Sequence, residues 1–481
     1  VLSPQAAGSP GAESGEPPGS PAGQLGRGGA VALSPRAWLA VAAWTLGSGL
    51  SLGDGHLDPG GVVCLVLTWA AVVAAFLSRT PEDPRRTERV LEAGVVIQLA
   101  MLMVKPPGEY LRPDLAEHPF LAPVFPVACI LMAVLSATLI VDRPLLGRAT
   151  FPAVVGLSGI AAAWMLVASP APPIDVLDFA RGSARALAQG DNPYDLHFPN
   201  VYGHTRYFGP GFATDESIDV GLVYPPVSLL LTAAGEWLVG DSRITLVLAL
   251  IVTAVLIDRL GGRAARLAAL LFVSSPRQYF VLEHGWTEPL FVCGFALLLL
   301  LASRQSRGTP VVLGALLALK QFAVLLLPLV HLLAGELRPR RSLRLVAAAL
   351  LVAGLVIAPF FLRDPGAYLR STVLFHLAQP FRPDSLNFAA LWAWATGSAP
   401  PTTVPTLACI GLALLVALRR CRPTPSGFAA GSALVLLAML AWSKQAHCNY
   451  LYLVVGMLLC SVAVADPGDP AARTGDRRTV G

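Results

Sequence analysis

Apolar runs of roughly 15–23 residues recur along this chain, the length that crosses a hydrocarbon core. In lipid such a run can satisfy its backbone only as a helix or within a closed barrel. The alternating apolar and polar strands of a barrel are absent. Charged residues make up 14% of the 481-residue sequence and hydrophobic residues 54%, whereas a soluble protein carries about 25% charged residues. The runs therefore predict an all-α fold, a polytopic transmembrane helical bundle of about 13–14 spans. The candidate spans are 37–52, 60–78, 89–104, 119–141 and 150–168, then, after a long polar loop, 243–257, 264–281, 286–303, 309–319, 321–335, 344–361, 404–419, 428–442 and 449–465.

Arginine orients these spans. Arg79, Arg85, Arg86 and Arg89 share one connection, and Arg143 with Arg148 share another. Further clusters are Arg259–Arg266, Arg304 with Arg307, Arg338–Arg344 and Arg419–Arg422. Placing all of them in the cytoplasm, by the positive-inside rule, puts the N-terminus inside and the 169–223 loop outside. The segment 224–239 then cannot cross fully, and Gly235, Glu236 and Trp237 suit an interfacial or re-entrant placement. The same count sends seven of the eight histidines outward: His56, His118, His197, His204, His284, His376 and His447. The expected location is the plasma membrane, multi-pass, with the working site on the outer face.

A net charge of +5 carried by such clusters is a topology signal and gives no case for nucleic acid. The seven cysteines lie mostly inside apolar runs, and read as small buried hydrophobes without a disulfide framework. No Cys/His spacing resembles a zinc site. Residues 1–35 and 466–481 read as disordered tails.

The chemistry-bearing residues gather in and around the 169–223 loop. Asp175 and Asp178, in Ile174-Asp175-Val176-Leu177-Asp178-Phe179, follow Pro172-Pro173. Two roles are open to them. An Asp in a first helical turn can cap the helix and complement its dipole. An Asp at an interface can also serve as a general base, its pKa raised by partial burial. A spacing of three puts both on one face. Gly190-Asp191-Asn192-Pro193-Tyr194 has turn composition, and Tyr224-Pro225-Pro226 closes the loop on a helix entry. Lysine occurs only at 105, 320 and 444. Lys320 lies between two short apolar segments, at the tip of a hairpin too short to cross. A lysine at membrane depth can snorkel to the interface or bind a partner, here a phosphate or an acidic side chain such as Glu283 or Glu288. Lys444, His447, His284, His376, Arg382 and Asn387 fall in outer segments as further candidates for a pocket.

Together these residues resemble the GT-C-type glycosyltransferases, and among them the actinobacterial polyprenyl-phosphate-mannose-dependent mannosyltransferases and their uncharacterised relatives. The resemblance runs through Asp175-Val-Leu-Asp178-Phe179, Gly190-Asp-Asn-Pro-Tyr194, Tyr224-Pro-Pro226, Arg243, Ser275-Pro276, Gly314–Lys320 and His447–Tyr450, and covers about residues 150–465. It implies a GT-C-like module there, with the outer loop 169–223; the chain departs from the family in having additional N-terminal transmembrane helices over 36–149. It implies transfer of a sugar, mannose or arabinose, from a polyprenyl-phosphate donor to a lipid or cell-envelope glycan acceptor, with inversion. Asp175 best matches the family's catalytic base and Asp178 comes second. Donor-phosphate and substrate contacts are expected among Lys320, His376, Arg382, Lys444, His447, His284, Glu288, Tyr194 and Tyr224. Some members of the family use a divalent metal and others do not, so the resemblance leaves the cofactor open. An outward-facing site agrees with a lipid-linked donor, because nucleotide sugars stay in the cytoplasm. The rival reading is a secondary transporter or flippase of a lipid-linked or small polar substrate, a class that also holds midplane charges and broken helices. No internal two-fold repeat accompanies it in this sequence.

Overall fold

Side-chain caps and prolines set many of the helix starts. Ser34, Asp58 and Asp83 each accept a backbone N–H of the helix that follows, and each precedes a proline in its first turn. That proline loses no hydrogen bond there, since the first N–H groups of a helix have no internal partner. In the computed structural model, which describes residues 32–333 and 339–465, these caps open α1 (Pro35–Gly53), α2 (Pro59–Leu77) and α3 (Pro84–Val104). α4 (Val124–Ile140) and α5 (Thr150–Ala168) complete the N-terminal run. The expected tails lie outside the described residues except for 32–35, of which Pro35 begins α1.

The long 169–223 loop is structured. It holds α6 (Asp175–Gln189), ended by Gly190 in the left-handed region at φ 82°, where glycine carries no Cβ penalty. A two-stranded antiparallel ribbon follows, β1 (Phe198–Pro199) with β2 (Ser217–Ile218). α7 (Pro226–Val239) and α8 (Ile244–Asp258) are bent by 115° at the turn between them. α9 (Gly262–Val273) and α10 (Arg277–Glu283) are separate helices, so the expected single span 264–281 breaks at Ser274-Ser275-Pro276. α10 and α11 (Glu288–Ser303) are bent by 120°. α12 (Thr309–Leu317) is followed by a 3₁₀ stretch, Gln321–Leu329, and the single turn α13 (Val330–Leu333). The remaining helices are α14 (Pro339–Arg363), α15 (Pro365–Leu369), α16 (Phe375–Ala378), α17 (Phe388–Thr396), α18 (Thr403–Arg420), α19 (Pro425–Ala441) and α20 (Cys448–Ala463).

Among the described residues, four helices are long and apolar enough to cross a membrane, α2, α5 with its preceding turn, α14 and α18, or up to six if each bent pair is one span. α4, α19, α20 and the stretch Gln321–Leu333 are apolar but shorter. The chain is thus mostly helical with a multi-pass make-up, and fewer helices pass this length test than there are apolar runs in the sequence. Breaks at Ser274–Pro276 and around Lys320 divide runs that read as continuous or nearly so. Leucines on α14 and α18, among them Leu350, Leu351, Leu355, Leu407 and Leu412, point outward and are exposed. An apolar exterior of this kind suits contact with lipid.

Two cores hold the chain together. The larger is aliphatic and runs through the helices, from Leu39 and Leu46 to Leu453 and Leu458. The smaller is rich in aromatic rings and joins the 169–223 loop to the segment 357–378: Phe179, Tyr194, Phe198, Phe208, Phe212, Tyr224, Tyr368 and Phe375. At one end of the bundle Arg263 reaches Glu88, Glu92 and Asp142, drawing three of the arginine-bearing connections together. The candidate site lies among the connections of the other end.

Candidate functional site

A cavity of about 300 Å³ opens among those connections, at the lower end of ligand-site volumes, roughly 300–1,000 Å³. Its walls come from segments far apart in sequence: Asp54–His56, Glu109–Tyr110, Ile174–Phe179, Tyr202–Phe208, Tyr224, His284–Trp286, Phe375–Arg382 and Gln445–Tyr450. Backbone pairing joins several of them. Leu57 N–H donates to the Asp384 carbonyl at 2.8 Å, Leu386 N–H to Gly55 at 3.2 Å, and Arg382 N–H to Lys444 at 2.9 Å.

Asp175 is the first residue of α6 and lines the cavity, half-buried. Its Oδ1 accepts from the Tyr202 hydroxyl at 2.9 Å and from the Val176 N–H at 2.8 Å. Both bonds favour the charged form, yet burial outweighs them and pushes the carboxyl above its ordinary value. The N-cap position is held by Ile174 without a side-chain cap bond, and Asp175 accepts one first-turn N–H from within the helix. Asp178, one turn on, lies off the cavity wall. Burial raises its pKa, while Arg181 and Arg185 pull it back down.

His376, Arg382, His447, His284 and Tyr224 are brought to the same cavity. Arg382 forms a fork with Asp384, Nε to Oδ1 at 2.9 Å and Nη2 to Oδ2 at 2.7 Å. Its guanidinium lies 4.1 Å from the centre of the Tyr207 ring, and Nη1 takes no part in the fork. His56 Nδ1 stands 3.4 Å from the same Asp384, which raises the His56 pKa, while His56 and Arg382 together hold the Asp384 carboxyl well below the usual carboxylate range. His376 Nε2–H donates to the Val223 carbonyl at 2.9 Å, and burial pushes its pKa down. Burial, with Arg382 adding, takes His447 down to about 4. His284 Nδ1–H donates to the Phe280 carbonyl at 2.9 Å, and its ring stacks on Trp286 at 4.4 Å.

The other expected contacts fall elsewhere. Lys320 Nζ donates to Glu288 Oε1 at 2.8 Å, both side chains being buried at 2% and 0% exposure. Of the two partners open to it, phosphate or carboxylate, its neighbour is the carboxylate, and neither residue lines the cavity. The ammonium lies 3.9 Å over the ring of Tyr224, which does line it. Tyr194 is buried in the aromatic core, with its hydroxyl donating to the Tyr224 carbonyl at 3.0 Å. It supports the wall without forming it. Gly221 lets the segment before Tyr224 approach: a Cβ there would lie 2.4 Å from the Tyr194 backbone. Lys444 Nζ turns away to the Leu377 carbonyl at 2.9 Å. Asn387 caps α17. Arg243, fully buried, clasps Asp241 and donates to the Ser169 and Leu166 carbonyls at the end of α5.

Residues that the sequence did not single out complete the site. Tyr202 holds Asp175, Glu109 and Asp54 add carboxylates, and Asn449, 4% exposed, has an Oδ1 without a hydrogen-bond partner. Nothing in their local sequence marks them, because each gains its place through contacts with distant segments. Among the described residues no three His, Cys, Asp or Glu side chains converge as a metal site. The arrangement can take a proton at Asp175, offer positive charge at Arg382 and stack a ligand on Tyr202, Tyr207, Phe208, Trp286 or Tyr450. No family model matches this chain, and neither does any curated protein or solved structure.

Proposed function

We propose that this chain is a membrane glycosyltransferase of GT-C type, moving a sugar, mannose or arabinose, from a polyprenyl-phosphate donor to a lipid or envelope-glycan acceptor at the outer face of the plasma membrane. The observation that carries the reading is the setting of Asp175. A carboxylate with a raised pKa stands on the wall of an aromatic-lined cavity that also presents a fixed guanidinium. Rings, carboxylates and amides side by side suit a sugar, whose ring faces are apolar and whose edges are hydroxyls. About 13–14 apolar segments, the N-terminus inside and α7 lying in the interface complete the proposed topology.

The acceptor hydroxyl attacks the anomeric carbon as the bond from that carbon to the phosphate oxygen breaks. Its proton passes to Oδ2 of Asp175, which takes neither the Tyr202 nor the Val176 bond. Polyprenyl phosphate leaves, its negative charge met by Arg382. One displacement inverts the anomeric centre. Lys320 plays no direct part, because it is buried against Glu288 off the cavity, whereas Arg382 lines it. The test is incubation of membranes holding the protein with radiolabelled polyprenyl-phosphate mannose or arabinose. Labelled glycolipid or glycan is expected with the wild type and is lost with Asp175→Asn. No transfer from either donor would defeat the proposal.

The buried Lys320–Glu288 pair at broken helices is the observation that favours a transporter or flippase instead. Uptake or flipping of a labelled polyprenyl-phosphate sugar in proteoliposomes, without transfer, would select that reading.

A further inference from the structure

Two turns from outside residues 150–465 reach the cavity, and one short helix holds both. At the end of α10, Glu283 is fully buried. Its Oε2 accepts from the Glu109 N–H at 2.6 Å, and its Oε1 from the Tyr110 N–H at 2.8 Å. Gly108 permits the approach, since a Cβ there would lie 2.6 Å from both oxygens. Ser169 Oγ–H donates to the Tyr110 carbonyl at 2.9 Å. At the start of α10, Arg277 is 2% exposed and places Nη1 2.7 Å from Asp54 Oδ1. Asp54 and Gly55 are both left-handed, at φ 57° and 82°. A Cβ on Gly55 would lie 2.6 Å from the Cys448 nitrogen, so this turn presses on the head of α20.

Burying a carboxylate and a guanidinium is costly, and a turn that only links two helices needs neither. These anchors fix what the turns display. The Glu109 side chain remains 56% exposed, with Oε2 3.9 Å from His284 Nε2, and lines the cavity. Next to Cys448, the buried Asn449 lines the same cavity, and its Oδ1 has no hydrogen-bond partner. A carboxylate on an anchored backbone and an unpaired amide oxygen are both acceptors, and they suit a ligand that brings several hydroxyl donors.

We propose that Glu109 contacts the acceptor, binding the hydroxyls of a glycan-type molecule with Asn449 beside it, so that the helices of residues 36–149 complete the active site. The inference rests on the glycosyl-transfer reading above. It is tested on the purified full-length protein with radiolabelled polyprenyl-phosphate mannose, or the arabinose donor if that is the one used, and octyl α-mannoside as probe acceptor. Acceptor KM is measured at saturating donor, and donor KM at saturating acceptor. Glu109→Ala is expected to raise the acceptor KM about tenfold or more, the loss of a charge-assisted hydrogen bond, with donor KM within about twofold. Glu109→Gln, which keeps one acceptor oxygen, should fall between, and Asn449→Ala should also raise the acceptor KM. Quenching of tryptophan fluorescence by octyl α-mannoside should weaken in parallel, since Trp286 lines the cavity. A Glu109→Ala protein that elutes and melts like wild type with an unchanged acceptor KM overturns this inference alone. A wild-type protein that transfers from neither donor overturns the transferase reading, and this inference with it, before any substitution is made.

Discussion

The surroundings of Asp175 and of Lys320 make an instructive contrast. Each puts a charged side chain at a break between helices, and Tyr224 borders both. At Lys320 the charge is closed off: Glu288 lies at 2.8 Å, both partners are buried, and the Tyr224 ring covers the ammonium. At Asp175 the charge is left open: two donors hold one oxygen, and the residue faces a cavity. A buried pair whose charges cancel, closed off from the cavity, holds structure and has little charge left to offer a ligand, whereas a half-satisfied acid at a cavity wall can exchange a proton. A charge at membrane depth is thus a question about its partner before it is a claim about function.

The largest effect should separate the two at once. Asp175→Asn is expected to cut transfer about 10²–10⁴-fold, the usual contribution of a general base, with an unchanged melting temperature. The pH profile should share this origin. Burial raises the Asp175 pKa, and a base works only when deprotonated, so transfer should fall as pH drops through a value above the ordinary carboxyl pKa of about 3.9. Single-turnover rates between pH 4 and 8 would reveal the limb, and an acid limb at or below the ordinary value would count against the assignment.

Lys320→Gln should do the reverse, acting on the fold. It leaves Glu288 charged and buried, a loss of about 3–5 kcal/mol of stability. The double change Lys320→Met with Glu288→Leu should recover most of this, because neither charge is then stranded. Denaturation in detergent would check it, and a stable Lys320→Gln protein with weakened donor binding would move Lys320 back into the site. Next in size, Arg382→Gln should weaken the apparent donor affinity roughly tenfold to a hundredfold, as for a charge-assisted contact of about 1.5–3 kcal/mol. A donor titration reads this, and unchanged affinity would send the phosphate to another cation. Smallest of all, Asp178→Asn should alter turnover less than about twofold, since surface changes away from the cavity are near-neutral. A loss comparable to that of Asp175→Asn would exchange the roles of the two acids.

Much of this arrangement is legible in the residues themselves. Apolar runs predict helices, since nothing else satisfies a lipid-exposed backbone in a chain without barrel strands, and the helices α1 to α5 fall where those runs fall. Ser34, Asp58 and Asp83 announce starts that the backbone adopts, because a cap acts within its own turn. Pro172-Pro173 and Gly190 bracket α6 for the same reason. Asp175 is conspicuous in sequence because its surroundings are apolar and punctuated by proline. What the sequence withholds is which charges meet. Glu283 beneath Glu109 and Tyr110, Arg277 against Asp54, and Arg382 against the Tyr207 ring join residues whose neighbours in the chain give no sign of a partner. The break at Ser274–Pro276 is similar: composition alone reads 264–281 as one apolar run, and the turn of α10 matters only because its two ends meet distant loops. Local order follows from forces acting over a few residues, so the sequence determines the helices, their caps and their apolar faces. The open state of Asp175 and the closed state of Lys320 depend on Tyr202 and Glu288 arriving from elsewhere in the chain, and only the tertiary structure decides that.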